Sequence, residues 1–523
     1  MNFHSYDQRA ELARTGQRLP TIEWQRDANA PPHRLTESRK SRRTTLENKC
    51  DKIEKIAFTS GDSALAGLPA IECQRSRHKL VDESDQPTTA AGIERDVSRL
   101  ARGDEMSRAD VVVIGLGFVG VPLAAAAARA GFQVCGVDAA AEKLSHLAES
   151  AGAQGSQNPE LRTLLTTGQL ELRRRGALPD ADVYCISVPT PMRADGRIDT
   201  AHLLDAAEAV GKAMRKGALV LVHSTCAPGS LEQQVIPLIA RKSRLLPGID
   251  FHIAHAPERI DPARGTPTAD LPRIVAGLTP QCTKAATTFL RSAFARVVPV
   301  SSIRTAEFVK TFENTFRLVN ISLANELAEV CRGHDVDPVE VIEAAATKPY
   351  GFLPHHPGIG AGGGCIPVVT EFFRASARQR GVIPPMVEAA LAVNAAMPGR
   401  TVELIRDRLA RSWKLSLSRC KVLVVGVTYK PDVVDIRNSC AVQVINRLRV
   451  EAADVGYYDP RIPQLRMERG RALRSTARLD ATGFDIAVIL TKHTTVDYSA
   501  LRTGALPVLD CSSGTPVPWQ DHD

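Results

Sequence analysis

Short runs of apolar and β-branched residues alternate with longer amphipathic stretches between residues 108 and 300. Such runs are typical of strands buried on both faces of a parallel sheet, and the stretches between them predict helices. The alternation therefore predicts a doubly wound α/β domain over residues 108–300. The predicted strands that bear on function are residues 111–114, 132–137, 183–188, 218–223 and 251–254.

Helical patterns dominate residues 301–413, which we interpret as a central bridging segment. Residues 304–348 and 384–413 predict long helices, and the Gly-rich stretch 358–367 interrupts the regular pattern between them. Five apolar residues of the first stretch recur at helical spacing. A stripe of this kind suits a buried core and the association of subunits equally well. Its members are Phe308, Phe312, Phe316, Val319 and Leu323.

An α/β pattern returns over residues 414–523, with predicted strands at 421–427, 454–458, 485–491 and 507–510. We interpret this part as a second, smaller nucleotide-binding domain. The predicted fold class is therefore α/β, with two doubly wound domains bridged by a central helical segment.

Residues 1–107 differ in composition from the rest of the chain. They mix charged residues with Ser, Thr, Gln and Pro and have few sustained apolar periods, which is typical of a disordered extension. Met106 stands just before the first predicted strand. An alternative hypothesis is therefore that translation begins at Met106.

Composition narrows the classes of partner. The formal net charge is +8 over 523 residues without a dense Lys/Arg block, which suits a small anionic ligand and argues against nucleic acid. Eleven scattered cysteines without C-x-x-C or other metal spacing indicate reduced thiols and no metal. No apolar signal region stands at the N-terminus, so we expect a cytoplasmic protein. Residues 111–128 are uncharged over a length that could span a membrane, but their glycines and proline argue against insertion.

A glycine motif follows the first predicted strand directly. Gly115, Gly117 and Gly120 form G-x-G-x-x-G, which allows a tight turn and a close approach of the backbone to a pyrophosphate. The helix that follows presents free N–H groups to the phosphates. Asp138 ends the second strand, where a carboxylate can accept both ribose hydroxyls and repel a 2′-phosphate. The stretch therefore predicts an NAD site.

Small, polar or proline-rich loops follow three further strands, at residues 188–191, 224–229 and 256–259. Ligands of doubly wound sheets bind at this edge, although such loops follow strands in every fold of this kind. In the first central helix Lys310 and Asn314 are four residues apart and therefore neighbours on the helix surface.

Seven motifs, in order, resemble those of nucleotide-sugar dehydrogenases of the UDP-glucose/GDP-mannose 6-dehydrogenase family, from about residue 109 to residue 513. The motifs are GLGFVG, VPTP, STCAPG, APERIDP, EFVKTFENTFRLVNISLANELAEV, GGGCIP and YKPDVVDIRNS. Residues 346–358, ATKPYGFLPHHPG, most resemble the substrate loop of the UDP-N-acetylhexosamine branch, especially UDP-N-acetylglucosamine 6-dehydrogenases.

The resemblance implies two Rossmann-like domains, with NAD bound at the first and the uridine diphosphate at the second. It implies oxidation of a UDP-sugar CH₂OH to a carboxylate while two NAD are reduced. It also implies a homodimer or higher homo-oligomer, and a uronate product for capsule, O-antigen or exopolysaccharide synthesis.

In this chemistry Cys365 is the nucleophile that forms a thiohemiacetal and then a thioester. Lys310 and Asn314 stabilise the oxyanion, Thr225 holds water and the nicotinamide end, and Glu258 is a candidate acid/base. The resemblance implies cofactor contacts from Gly115, Gly117, Phe118, Val119, Gly120, Asp138, Lys143, Pro189, Thr190 and Thr225. It implies substrate contacts from Glu258, Arg259, Lys310, Asn314, Phe352, Lys430 and Arg437.

The chain departs from the family pattern G-G-H-C-x-P-x-D at Gly364 and Val369. The loss of the carboxylate matters most, because in the family it helps to orient the lysine and the attacking water. Glu371 should point elsewhere. His355-His356 and Ser512-Ser513 are smaller departures.

Several functions stay open at this point. The first is a UDP-N-acetylhexosamine or UDP-glucose 6-dehydrogenase that works, even if slowly. The second is an impaired relative that binds NAD and UDP-sugar without efficient turnover. The third is a two-electron hydroxyacid dehydrogenase, which the second α/β domain and the cysteine disfavour.

Overall fold

The computed structural model describes residues 108–152, 159–193, 198–260, 271–452, 454–467, 472–501, 506–512 and 517–518. The predicted extension, residues 1–107 with Met106, lies outside the described residues. Within them, no helix combines the length and the apolar character that crossing a membrane requires.

The first sheet has eight strands within the described residues, in the order β3-β2-β1-β4-β5-β6-β7-β8. All neighbours are parallel except β6 and β7. The sheet reverses its strand order between β1 and β4, and such a switch point opens a crevice at the carboxyl ends of the strands. The strands are β1 Arg108–Ile114, β2 Val134–Asp138, β3 Leu170–Arg174, β4 Asp180–Ile186, β5 Leu219–Val222, β6 His252–His255, β7 Arg273–Gly277 and β8 Val297–Pro299.

Both faces of this sheet are covered by helices. One core contains Leu123 and Phe289, and the other contains Leu203 and Ile239, so the strands are buried from two sides as their apolar composition predicts. The helices are α1 Gly120–Arg129, α2 Ala141–Gly152, α3 Pro159–Thr166, α4 Ala201–Ala213, α5 Ile236–Ser243 and α6 Pro280–Ala293. Strands β4 and β5 end earlier than predicted, so Val188 and His223 belong to the loops at the crevice.

The central segment consists of four helices, α7 Ile303–Arg332, α8 Pro338–Ala346, α9 Ile366–Gln379 and α10 Pro385–Arg408. The helical stretch predicted over residues 304–348 is therefore divided into two helices. α7 ends at Arg332, and Asp335 then adopts a positive φ of 56° within the connecting turn. The Asp337 carboxylate accepts the N–H of Val339 at 2.9 Å and caps α8. After α10 the chain forms one wider helical turn, Leu409–Trp413.

The aromatic stripe of α7 faces outward. Phe312 is 59% exposed and Leu323 is 61% exposed, so the interpretation of the stripe as core is wrong for these residues. The helix instead buries Thr311, Leu318 and other residues of a different face. The alternative, that the stripe serves subunit association, stays a prediction.

The second sheet has five strands within the described residues, in the order β10-β9-β13-β14-β15. Its neighbours are parallel except β14 and β15, and helix α11 (Cys440–Glu451) packs through Val444 and Ile445 into its core. The strands are β9 Lys421–Val425, β10 Asp454–Tyr458, β13 Ile486–Ile489, β14 Val508–Asp510 and β15 Val517–Pro518, with a separate pair β11 Gln464–Leu465 and β12 Leu473–Arg474. The predicted fold class, two α/β units bridged by central helices, is confirmed.

Candidate active site

A cavity of about 1240 Å³ lies at the carboxyl edge of the first sheet. Its wall combines the glycine turn after β1, the loops after β4 and β5, the start of α9 and the loop that precedes α11. Cys365 and Arg437 therefore line the same cavity as Gly115. The edge that the predicted loops identified is the edge where the cavity forms.

A different structural constraint explains the glycine at each position of the G-x-G-x-x-G turn. Gly115 has φ 92°, and a Cβ there would lie 2.7 Å from the carbonyl oxygen of Ser187. A Cβ on Gly120 would lie 1.8 Å from the carbonyl oxygen of Gly115, so only glycine allows α1 to begin there. Gly117 has nothing within 4 Å of its Cβ position, which leaves room for a phosphate at the helix N-terminus. The turn therefore fits a dinucleotide.

Asp138 lies at the end of β2, as predicted. Its Oδ2 accepts the N–H of Leu116 at 2.8 Å and the ammonium of Lys143 at 2.6 Å, and its Oδ1 accepts the N–H of Ala140 at 3.1 Å. Burial tends to raise the pKa of this carboxyl, but Lys143 and the two amides lower it below its usual range. Asp138 is thus a fixed carboxylate, of the kind that accepts ribose hydroxyls. Phe118 and Val119 line the cavity beside it.

The loops after β4 and β5 are bonded to each other. The hydroxyl of Thr190 donates to the carbonyl oxygen of Thr225 at 2.8 Å, and the hydroxyl of Ser224 donates to that of Val188 at 2.7 Å. Pro189, Thr190 and Thr225 all line the cavity. Thr225 is therefore held at the junction of the two loops.

Glu258 lines the cavity as a buried carboxylate with three partners. Its Oε1 accepts the N–H of Arg259 at 2.7 Å and that of Ile260 at 2.9 Å, and its Oε2 pairs with the guanidinium of Arg273. Burial tends to raise the pKa of Glu258, but Arg273 brings it below its usual value. This arrangement favours a fixed negative charge over the predicted proton transfer.

Two residues at this site escaped the sequence analysis. Arg273, on β7, is buried, and its guanidinium also lies 4.2 Å from the ring centroid of Phe294. His223 lines the cavity, and burial, with Arg273 nearby, lowers its pKa to about 4, so its imidazole is neutral. The one available signal for Arg273 was a cation at the start of an apolar run, which is also typical of a solvated strand end.

Lys310 and Asn314 differ in placement. Lys310 lines the cavity; burial lowers the pKa of its ammonium, which Cys365 and Glu313 partly offset. The amide of Asn314 is buried in α7, where it donates to the carbonyl oxygen of Lys310 at 3.3 Å, and it does not line the cavity. The structure therefore brings Lys310, and not Asn314, to the cavity that holds the thiol.

Cys365 is the residue that precedes α9, and its side chain is exposed. The other eight cysteines among the described residues are buried. Val369 follows one turn later, buried and lining the cavity, while Glu371 pairs with Arg374 at 2.6 Å and does not line it. The position of the family carboxylate is therefore apolar, and Glu371 points elsewhere as expected.

The loop before α11 clamps the Gly-rich loop. The N–H of Gly363 donates to the carbonyl oxygen of Arg437 at 3.0 Å, and the amide of Asn438 donates to that of Gly363 at 3.1 Å. The Arg437 guanidinium binds the carboxylate of Asp435 in a fork, with an Nη2–Oδ2 distance of 2.6 Å. A Cβ on Gly364 would lie 3.6 Å from the guanidinium carbon of Arg437. Arg437 thus lies beside Gly364, the residue that precedes Cys365.

Besides Asn314, three further predicted substrate contacts do not line the cavity. Arg259 pairs with Glu313 at 2.5 Å, the ammonium of Lys430 lies 5.7 Å from the ring centroid of Tyr429, and Phe352 is partly exposed in the loop before α9. Their roles toward the substrate stay predictions.

Comparison with known proteins gives the family. Three domain models of the UDP-glucose/GDP-mannose dehydrogenase family match the chain: the NAD binding domain over residues 109–295, the central domain over 304–396 and the UDP binding domain over 423–511. The chain is similar to UDP-N-acetyl-D-mannosamine dehydrogenase of Pyrococcus horikoshii, with 32% identity over 389 residues, which are 73% of this chain and 89% of the relative.

It is also similar to UDP-N-acetyl-D-glucosamine 6-dehydrogenase of Salmonella typhi, with 28% identity over 73% of this chain and 89% of the relative. A solved structure of a UDP-D-ManNAc dehydrogenase from Pyrococcus horikoshii superimposes with a TM-score of 0.68 at 30% identity, covering 77% of this chain and 95% of that one. The glycine turn with its carboxylate, the exposed thiol and the three matched domains together show that this chain belongs to the UDP-glucose/GDP-mannose dehydrogenase family and is an NAD-dependent UDP-sugar dehydrogenase.

Proposed function

We propose that the chain oxidises C6 of a UDP-N-acetylhexosamine, with UDP-N-acetylglucosamine as the first candidate, to the UDP-uronate through Cys365. The observation that carries the proposal is one cavity that holds the exposed thiol of Cys365, the ammonium of Lys310 and the dinucleotide turn. The mannosamine and glucosamine relatives, and the resemblance of residues 346–358 to a substrate loop, support an N-acetylhexosamine.

The turn at Gly115–Gly120 and the carboxylate of Asp138 would hold NAD, which when bound supplies the hydride acceptor for each oxidation. At the aldehyde stage the thiolate of Cys365 adds to C6 and forms a thiohemiacetal. Its oxidation leaves a thioester on Cys365. Water then attacks the thioester carbonyl, releases the carboxylate and returns the thiol. The cysteine keeps the intermediate in place between the two oxidations.

Lys310 acts on the oxygen of C6. Its ammonium is desolvated and lies near Cys365, where a positive charge stabilises the alkoxide, the thiohemiacetal oxygen and the tetrahedral oxyanion in turn. Glu258 and Glu313 lower the cost of keeping this charge in the cavity wall. Asn314 contributes by fixing the backbone of Lys310, because its amide donates there.

The hydrolytic step is where this chain differs from its family. Val369 neither accepts a hydrogen bond nor carries charge, and the oxygens of Glu258 are already occupied by Arg273 and two amides. Loss of one general-base or electrostatic group costs about 10²–10³ in rate. The apolar Val369 in the cavity is therefore the specific observation in favour of the second candidate, a relative that binds both ligands but turns over poorly.

The test is NADH formation by the purified protein with NAD and, separately, UDP-N-acetylglucosamine, UDP-N-acetylmannosamine and UDP-glucose. Two NADH per sugar, lost in Cys365→Ser, support the proposal and identify the sugar. No turnover in the wild type, with turnover in Val369→Asp, would favour the impaired relative. One NADH per sugar that survives Cys365→Ser would contradict the thioester route.

We also propose that subunits associate through the exposed face of α7 that carries Phe312, Phe316 and Leu323. These apolar side chains lie outside the core of a single chain, and exposed clusters of this kind are typical of interfaces. Sedimentation of the wild type and of Phe312→Glu tests the proposal, which a monomeric wild type would contradict.

A further inference from the structure

Glu307 is a fully buried carboxylate at the start of the motif EFVKTFENTFRLVNISLANELAEV, and the proposed chemistry gives it no role. It lies on α7, one turn before Lys310 and two turns before Asn314. Its Oε2 accepts the N–H of Gly229 at 2.5 Å, and its Oε1 accepts the N–H of Leu231 at 3.1 Å. One side chain of the helix that carries the catalytic lysine therefore binds two backbone amides of the first sheet's loop region.

Those two amides end the loop that presents Thr225. Gly229 is the last residue of the STCAPG loop and has φ 92°, and Leu231 begins the helical turn that follows. At its other end the loop is bonded to Thr190 and Val188 in the cavity wall. The start of the loop is thus bonded to Thr190 and Val188 in the cavity wall, and its end is bonded to Glu307 of α7.

The surroundings of Glu307 do not neutralise it. Arg304 is the nearby cation, but its guanidinium pairs with Glu232. The thiol of Cys226 donates to the carbonyl oxygen of Ser224 at 3.3 Å and not to Glu307. Among the described residues, no cation is bonded to Glu307. Burial is the largest effect and raises the pKa of Glu307 to about 7. The two backbone amides lower this pKa, Glu232 raises it and Arg304 lowers it.

We propose that Glu307 is a positioning residue that fixes the STCAPG loop to α7. It thereby holds Thr225 and Lys310 in fixed positions relative to each other and to the bound cofactor. The proposal rests on the NAD-dependent function, and not on the identity of the sugar. The ionised carboxylate accepts both amides as charge-assisted hydrogen bonds, which are stronger than neutral ones. Protonation places an O–H where an acceptor is needed and weakens one of the two bonds.

Opposite effects of pH on binding and on stability follow. NAD affinity should fall as pH drops through about 7, because the loop is then held less firmly. Stability should change the other way: the folded pKa of this carboxyl lies above its unfolded value of 4.5, so the ionised form disfavours the folded state. This group's contribution to stability is greatest below 4.5 and is lost as pH rises through about 7.

The test compares Glu307→Gln with Glu232→Gln and the wild type, without sugar, from pH 6 to pH 8.5. Dissociation constants for NAD come from calorimetry and unfolding midpoints from thermal scans. Glutamine keeps the shape of Glu307 but offers one acceptor oxygen, so we expect about tenfold weaker NAD binding at pH 8. Glu232→Gln removes a neighbouring charge and neither amide bond, and its affinity at pH 8 should stay within about twofold of the wild type.

The pH profile separates positioning from a simple structural role. Wild-type affinity should approach that of Glu307→Gln near pH 6, and the difference in midpoint between the variant and the wild type should shift in favour of the variant as pH rises. Any pH dependence that Glu307→Gln retains belongs to groups other than Glu307.

Equal NAD affinity of Glu307→Gln and wild type at pH 8 would overturn the proposal. If the variant does not fold, the wild type alone still decides, since an NAD affinity that is constant between pH 6 and 8 also overturns it. Because no sugar is present, these results are independent of whether the UDP-N-acetylhexosamine assignment holds.

Discussion

Arg273 and Glu258 form an ion pair that is buried almost completely in the wall of the cofactor cavity. The pair joins β7 to the loop after β6, and the aromatic ring of Phe294 covers the guanidinium from the other side. Two charges without solvent are tolerated because each is paired and Glu258 also accepts two amides. The fixed negative charge of Glu258 lies close to Lys310 and favours the charged form of its ammonium, which burial disfavours.

Arg273→Met should therefore cost about 3–5 kcal/mol in the free energy of unfolding, because it leaves Glu258 buried without its cation. Urea denaturation followed by circular dichroism measures this loss. The double variant Glu258→Gln/Arg273→Met removes both charges, and the glutamine oxygen can still accept the two amides. It should recover part of the loss, and a double variant less stable than Arg273→Met would contradict this explanation.

Cys365 should react with iodoacetamide before every other described cysteine, because the other eight are buried. Peptide mass spectrometry after limited alkylation locates the modified thiol. Activity should fall in proportion to the modification of Cys365. Cys365→Ser is the matched control and should show no alkylation at this peptide, with unchanged NAD affinity. Loss of activity that precedes modification of Cys365 would contradict its role as nucleophile.

Hydrolysis of the thioester should limit the rate in the wild type, since Val369 provides no group to orient water. Rapid mixing should then show a burst of up to two NADH per active site, followed by a slower steady state. Val369→Asp places a carboxylate beside the cavity and should raise the steady-state rate by about 10²-fold while removing the burst.

Val369→Asn is the control, because its amide has a similar size without the charge. A steady state that begins with the first turnover in the wild type would show that hydrolysis is not limiting.

Acid should destabilise the fold through two buried histidines. Burial is the main cause that lowers the pKa of His223 to about 4 and that of His255 to about 3, from the model-peptide value of 6.5. The unfolded chain therefore binds protons that the folded chain does not, and stability is lost as pH falls below 6.5. The loss approaches roughly 3–5 kcal/mol for each histidine only as the pH falls to its folded pKa, and at pH 4.5 it is at most about 2.7 kcal/mol.

His255→Asn tests this, because asparagine can still donate to the carbonyl oxygen of Val222, which His255 Nδ1 contacts at 2.9 Å. Unfolding free energies measured between pH 4.5 and 7.5 should fall less steeply with acid in this variant than in the wild type. His334→Asn, at an exposed turn, is the matched control for replacing an imidazole that is not buried. Equal slopes for His255→Asn and the wild type would show that His255 is protonated in the folded state.

The sequence predicted those features that depend on local pattern. The glycine turn, the carboxylate of Asp138 and the edge at which the loops gather follow from spacing that is set by one strand–turn–helix unit. The break between α7 and α8 was missed because the apolar period continues across it, although Gly333 and Pro338 flank the break. Helix periodicity alone does not detect a residue such as Asp335 that turns left-handed.

The buried charges were beyond sequence reasoning for a different reason. Arg273 and Glu258 are 15 residues apart, and Glu307 is 78 residues from Gly229, so no local motif relates them. A charged residue in a sequence is normally solvated, and only the packing of β7 and α7 shows that these are enclosed. Similarly, the spacing of Lys310 and Asn314 placed them on one helix face without showing that the amide is bonded back to the helix.

Two hydrogen bonds join Gly363 to the loop that contains Arg437 and Asn438, and they couple the position of one loop to that of the other. They tie the Gly-rich loop before Cys365 to a loop of the second sheet, whereas the dinucleotide turn belongs to the first. A displacement of that loop would therefore shift Gly363, two residues before Cys365, and with it the thiol at the start of α9.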